Sequence, residues 1–159
     1  MEIRRSALIE RSAASTFDVI EAAEQYPEFL PWCANAVILE RDQSIVAARI
    51  SVNYHGVRFD FTTRNPKRRP TWLAVHLEEG PFRRFEGEWH LTALAADACK
   101  IEFMLHYEVA STLLGKVAGS VFDAVANTLV DAFARRAQQL PLEPPPEPEL
   151  PSVPSHGDP

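Results

Sequence analysis

From Leu113 to Gln139 the apolar residues keep one spacing: Val117, Val121, Val125, Leu129 and Phe133 recur every four positions. Leu114, Ala118, Phe122, Ala132 and Ala137 flank that row. A step of four overshoots the 3.6-residue turn, so the pattern predicts a long helix whose apolar stripe is wide and drifts along the axis. Lys116, Asp123, Asp131, Arg135, Arg136 and Gln138 fill much of the remaining surface. Ser111 or Thr112 can cap its start, and Pro141 cannot continue it. At 1.5 Å per residue such a helix spans roughly 40 Å. A stripe of that length needs a whole layer to cover it.

The preceding residues supply that layer. Ile3–Ile9 reads as a short strand, and Arg11-Ser12-Ala13 breaks it. Ser15 is placed to cap a helix to about Gln25 with Phe17, Val19, Ile20 and Ala23 on its apolar side. In Tyr26-Pro27-Glu28-Phe29-Leu30-Pro31-Trp32-Cys33 two prolines four apart allow one short helical turn between them. From Ala36 the period changes to two. Ala36–Glu40 and Ile45–Tyr54 are separated by Arg41-Asp42-Gln43-Ser44, and Val46, Ala48, Ile50, Val52 and Tyr54 share one face. His55-Gly56 turns the chain into Val57, Phe59, Phe61 and Thr63, which alternate with Arg58, Asp60, Thr62 and Arg64. Asn65-Pro66-Lys67-Arg68-Arg69-Pro70 reads as a basic loop. Leu73, Val75 and Leu77 mark the next strand; Phe85, Gly87, Trp89 and Leu91 share a face of another; Ile101, Phe103, Leu105, Tyr107 and Val109 of a last. Clean alternation gives each strand one wet and one dry face. A strand, two helices, about six antiparallel strands and a long helix make an α+β domain in which a curved sheet is covered by the helix.

Pro141 to Pro159 contains eight prolines and little that can pack, so residues 1–140 read as one domain and 141–159 as an acidic, proline-rich appendage expected to be disordered or extended. Of the formal charge of −6, Glu143, Glu147, Glu149 and Asp158 carry four units, so the body is nearly neutral. That argues against a DNA-binding protein in general but leaves room for a local basic patch. Two cysteines, Cys33 and Cys99, make no disulfide framework, and with no leader at Met1–Glu10 a cytoplasmic setting with reduced thiols is expected. No apolar run is long enough for a membrane span.

Tyr54, Phe59, Phe61, Phe85, Trp89, Phe103 and Tyr107 point inward toward Val121, Val125 and Leu129. They make either an ordinary core or the wall of a slot left where a curved sheet parts from a straight helix. Tyr26, Phe29, Leu30 and Trp32 make either a plug at the sheet edge or a gate that moves as a unit. Arg64 reads as a surface cation pairing with Glu86 or Glu88, or as a polar contact to a bound carbonyl. Lys67-Arg68-Arg69 with Arg83-Arg84 is a solvated turn or a contact for ribosomal RNA or an anionic membrane. His76, His90 and His106 share the outward parity, without a spacing that marks a metal site. No GxSxG, HExxH, GxxxxGK or GxGxxG motif occurs, and no nucleophile can be paired with a base from spacing, so no catalytic residue is assigned.

Arg5-Ser6-Ala7-Leu8, the Tyr26–Cys33 run, Phe61-Thr62-Thr63-Arg64-Asn65, Gly80–Trp89 and Ala126–Phe133 occur in an order that resembles the START-like superfamily. Within it, the chain is similar to the polyketide cyclase- and lipid transport-like group of coenzyme Q-binding START-domain proteins and bacterial ribosome-association toxins of the RatA family. The resemblance covers residues 3–139 and leaves out the tail. It implies a helix-grip fold, with about six to seven antiparallel strands curved around the long C-terminal helix. It also implies a non-catalytic cup that holds a quinone or similar lipid, ubiquinone being the named ligand, in support of respiratory electron transport. Tyr26, Phe29, Leu30, Trp32, Arg64 and the inward residues named above would then line the ligand, with peripheral contact at the inner membrane. The alternative it implies is a toxin that binds the large ribosomal subunit and blocks joining of the subunits.

Overall fold

The computed structural model describes residues 1–110 and 112–142, with the backbone alone for 112–118. The expected run of elements is found. Strand β1 (Glu2–Ile9) leads into helix α1 (Ala13–Glu21), a 3-10 turn (Ala23–Gln25) and the short helix α2 (Tyr26–Phe29). Six strands follow: β2 (Cys33–Arg41), β3 (Ile45–Tyr54), β4 (Val57–Arg68), β5 (Trp72–Glu79), β6 (Phe82–Ala95) and β7 (Ala98–Val109). Helix α3 (Thr112–Gln138) ends the described fold. All seven strands pair antiparallel in one sheet ordered β1-β7-β6-β5-β4-β3-β2, so α1 and α2 carry the chain from one edge to the other.

Three local readings are corrected. The cap of α1 is Ser12, not Ser15: Ser12 Oγ accepts from Ser15 N at 3.0 Å, and the helix stops at Glu21 instead of continuing to Gln25. Strand β2 begins at Cys33 rather than Ala36, directly after the proline-bounded turn. The supposed basic loop is mostly strand, because β4 runs through Pro66 to Arg68. Proline has no N–H for the ladder, and beside it Asn65 Oδ1 accepts from His76 N across to β5 at 3.3 Å. The expected caps Ser111 and Thr112, the side chains of Leu114, Lys116, Val117 and Ala118, and the appendage from residue 143 lie outside the described residues or side chains.

Packing follows the two periods. Val46, Ala48, Ile50 and Val52 of β3 and Ile101, Phe103, Leu105 and Tyr107 of β7 are buried, as are Val121, Phe122, Val125, Ala126, Val130 and Phe133 of α3. Phe82, Phe85 and Phe122 stack with centroids 4.9–5.6 Å apart. At the other end of α3, Phe133 meets Trp89, Tyr26 and Phe29 edge-on at 5.2–5.5 Å. Burying each ring or Val side chain contributes about 1.5–3 kcal/mol, so Phe122 and Phe133 share the anchoring of α3 with Val121, Val125 and Val130. Polar ties fix its position. The Arg5 guanidinium donates to Asn127 Oδ1. Arg11 donates to the carbonyls of Gln138 (2.6 Å) and Leu140 (3.0 Å), where the last helical carbonyls have no partner in the helix.

The turn between β3 and β4 uses His55 (φ 50°) and Gly56 (φ 81°), the left-handed pair that a two-residue hairpin requires. Gly80 also has positive φ (154°), and a Cβ there would lie 2.7 Å from Phe61 Cβ. Gly80→Ala should therefore destabilise the domain by about 1–3 kcal/mol in urea unfolding, whereas Gly119→Ala, which meets nothing within 4 Å, should stabilise α3 by a few tenths to about 1 kcal/mol.

Candidate functional site

Between the inner face of the sheet and α3 lies an apolar cavity of about 100 Å³. Eight of the side chains expected at a ligand wall border it: Tyr26, Trp32, Phe61, Phe85, Trp89, Phe103, Val125 and Leu129. Phe29, Leu30 and Tyr54 lie instead along an outer recess of about 330 Å³ beside α3, which they share with Trp32, Val125 and Arg135. Val121 is packed into the core. Phe59 is half-buried and stacks on Phe61 and Phe82 near 6 Å. Tyr107 is buried against Phe122, with centroids 4.7 Å apart, and its hydroxyl meets no hydrogen-bond partner among the described residues.

Arg64 is not brought to the cavity. It stands on the outer face of β4 and pairs with Glu40, not with Glu86 or Glu88. The reason is a bulge in β2. Val37 opposes Arg49, but the register then shifts so that Glu40 rather than Leu39 opposes Ala47, and Ala47 opposes Arg64. The carboxylate is thereby moved onto the row of the guanidinium, and Leu39 is left exposed.

The lining also contains residues not singled out from the sequence. Val46, Ala48, Ile50, Leu73, Val75 and Leu105 have the inward parity, and Phe122 and Phe133 belong to the helix stripe, so their periods already marked them as interior; Ala126, beside Val125, was not marked. Glu21 had no such signal. Its carboxylate borders the cavity at the end of α1, and Oε1 accepts from Lys67 Nζ at 2.7 Å and Arg41 Nε at 2.9 Å. The Lys67 side chain is only 9% exposed and that of Glu21 14%. The three charges tie α1 to β2 and β4 with both partners of the carboxylate fully engaged.

The same pairing dissolves the proposed basic patch. Lys67 is taken by Glu21, and Arg69 makes a two-pronged pair with Asp18 at 2.8 and 2.9 Å. Arg83 and Arg84 sit at the start of β6, at the opposite end of the sheet from Arg68, and face Glu108 and Glu86. His76 and His90 are exposed and His106 half-buried on the outer face, and no group of three or more His, Cys, Asp or Glu among the described residues is arranged to hold a metal.

Reactive groups are few. Burial pushes the Cys33 thiol up to about 11 and raises that of Cys99, which donates to Thr16 Oγ1. Burial also raises the Tyr26 phenol, whose hydroxyl is held by the Ile20 carbonyl. These are protonated, packed groups at neutral pH rather than nucleophiles. Ellman's reagent at pH 8 should label neither cysteine of the native protein quickly and both in guanidinium; fast native labelling of either would show a reactive thiol. Glu21→Leu should cost about 2–3 kcal/mol by leaving Lys67 buried without its anion, with a much smaller loss for Glu24→Gln at the exposed end of the cluster.

A model of the polyketide cyclase/dehydrase and lipid transport family matches residues 9–134. The chain is 40% identical over 138 residues to the ribosome association toxin RatA of Pseudomonas aeruginosa, covering 87% of this chain and 96% of that protein. It is 23% identical over 154 residues to the mitochondrial coenzyme Q-binding protein COQ10 homolog B of Xenopus laevis, covering 89% of this chain and 62% of that protein. Among solved structures, the Zhui aromatase/cyclase from Streptomyces shares the fold with a TM-score of 0.76 at 15% identity, over 87% of this chain and 94% of that one.

Proposed function

Because the chain belongs to the polyketide cyclase/dehydrase and lipid transport family, we propose that within it this protein acts as a ribosome-binding module. In this reading it docks on the large subunit in the cytoplasm and interferes with joining of the subunits. The observation that carries this reading is the 40% identity to a ribosome association toxin across nearly the whole length of both chains. The interior points the same way. Ligand pockets enclose roughly 300–1,000 Å³, against about 100 Å³ here. Glu21, the carboxylate on the cavity wall, is committed to Lys67 and Arg41 instead of aimed at a guest. A cavity this small, with its one carboxylate engaged, favours a reading in which the surface does the work.

Overexpression should reduce joined ribosomes and raise free subunits in sucrose gradients, and the purified protein should sediment with large subunits. Unchanged profiles at high expression, together with no co-sedimentation, would exclude the reading.

A second reading is favoured by one observation: the small cavity is lined by Trp89, Phe103, Phe61 and Phe85 with an apolar helix face opposite. An isoprenoid or quinone would gain about 25 cal/mol per Å² of apolar surface buried there, once α2 or α3 moved outward to admit it. Native mass spectrometry of gently purified protein should then show a lipid adduct that Val125→Trp abolishes. Adduct-free spectra, with a melting temperature unmoved by added quinone, would remove it.

A further inference from the structure

The outer face of the sheet is divided in charge. On β3 and β4 the exposed residues include Arg49, Arg58, Arg64 and Arg68, opposed on that face by Asp60 and by Glu40 from β2. On β1 and β5–β7 the outward face carries Glu2, Glu78, Glu86, Glu88, Glu102 and Glu108 against Arg4, Arg83, Arg84 and Lys100. Arg49, Arg58 and Arg68 make no ion pair among the described residues, in contrast to Lys67 and Arg69, which α1 neutralises. At the boundary of the two halves the strand register places Arg68 opposite Trp72, and Trp72 opposite His90. With Thr71, Leu91 and Thr92 these three line an open recess of about 440 Å³, in which the indole is half-buried. The floor is stiff. Thr71 N donates to the Arg68 carbonyl at 2.9 Å, Leu91 N donates to the Thr71 carbonyl at 2.8 Å, and His90 Nε2 lies 2.9 Å from Glu88 Oε2.

We propose that the Arg68–Trp72–His90 row is a platform for an unpaired nucleotide of RNA, with Trp72 as its stacking plane and Arg68, Arg49 and, on exchanging Glu40 for phosphate, Arg64 as contacts for the phosphates on either side. The proposal deepens the ribosome reading and rests on it. An aromatic plane beside a free guanidinium is how proteins hold single-stranded bases, because every base has a face to stack and each phosphate a charge to neutralise. Arg64 lies four residues from Arg68 along β4, about 13 Å at strand rise, and Arg49 lies diagonal to it across β3. The carboxylates beyond His90 on β6 and β7 repel a polyanion, so the strand runs from the platform toward β4 and β3. A flat anionic bilayer would meet those same carboxylates, and for that reason the geometry favours RNA.

The test uses the full chain with purified large subunits, a short single-stranded oligouridylate, and vesicles of phosphatidylglycerol in phosphatidylcholine. Anisotropy and Trp quenching should show oligonucleotide binding that Trp72→Ala weakens roughly tenfold and Trp72→Phe largely preserves. Arg68→Ala should reduce the slope of log affinity against log salt by about 0.7, and Arg84→Glu at the far end should change nothing. Circular dichroism melts accompany each variant; if Trp72→Ala does not fold, Trp72→Phe and Arg68→Ala decide. Wild type that sediments with subunits while folded Arg68→Glu and Trp72→Ala do so equally well overturns the platform and leaves the ribosome reading standing. Wild type that ignores subunits overturns that reading itself. Arg68-dependent capture by vesicles without oligonucleotide binding overturns the platform in favour of a membrane contact.

Discussion

One dry face of a seven-stranded sheet has to be covered, and α3 is long enough to do it. Everything in the interior follows from how closely the two layers meet. They meet closely because large rings fill the space along the described part of the helix: Phe82, Phe85 and Phe122 near its middle, Trp89, Tyr26, Phe29 and Phe133 toward its carboxyl end. Rings project far enough to span the gap that curvature opens, so the space left over is small. In a family whose fold serves carriers and enzymes alike, side-chain size rather than topology decides whether the grip encloses a guest.

The polar framework is built around α1. Glu21 holds Lys67 and Arg41, Asp18 holds Arg69, and Glu24 holds Arg41, so one short helix is stitched to β2 and to the end of β4. This stitching uses up most of the positive charge that the sequence concentrates near Pro70. What remains free, Arg49, Arg58 and Arg68, is spread over the outer face of β3 and β4, where no run of the sequence displays it.

The fold was legible because both of its periods are strong. The inward parity of Val46–Val52 and Ile101–Tyr107 and the four-residue spacing of Val121, Val125, Leu129 and Phe133 each mark a face that only burial satisfies. The cavity wall was legible in part: eight expected residues line it and most of the others on the strands and α3 obey the same periods, whereas Glu21 does not. What escaped the sequence depends on long-range register. Glu21 and Lys67 are 46 residues apart, Asp18 and Arg69 are 51 apart, and the Arg64–Glu40 pair exists because a single bulge shifts β2 by one residue. Local spacing carries no trace of such encounters. Trp72, Arg68 and His90 come together across three strands for the same reason.

The guanidinium of Arg11 grips the last carbonyls of α3 from the end of β1, and Arg5 grips the same helix further back. Tension applied to the chain beyond Leu140 is therefore passed to an edge strand and not to the helix alone. That strand is zipped to β7 over its whole length, from Glu2 opposite His106 to Ile9 opposite Cys99. The last turn of α3 and the β1–β7 ladder are thereby coupled, so fraying of the one takes partners from the edge of the other.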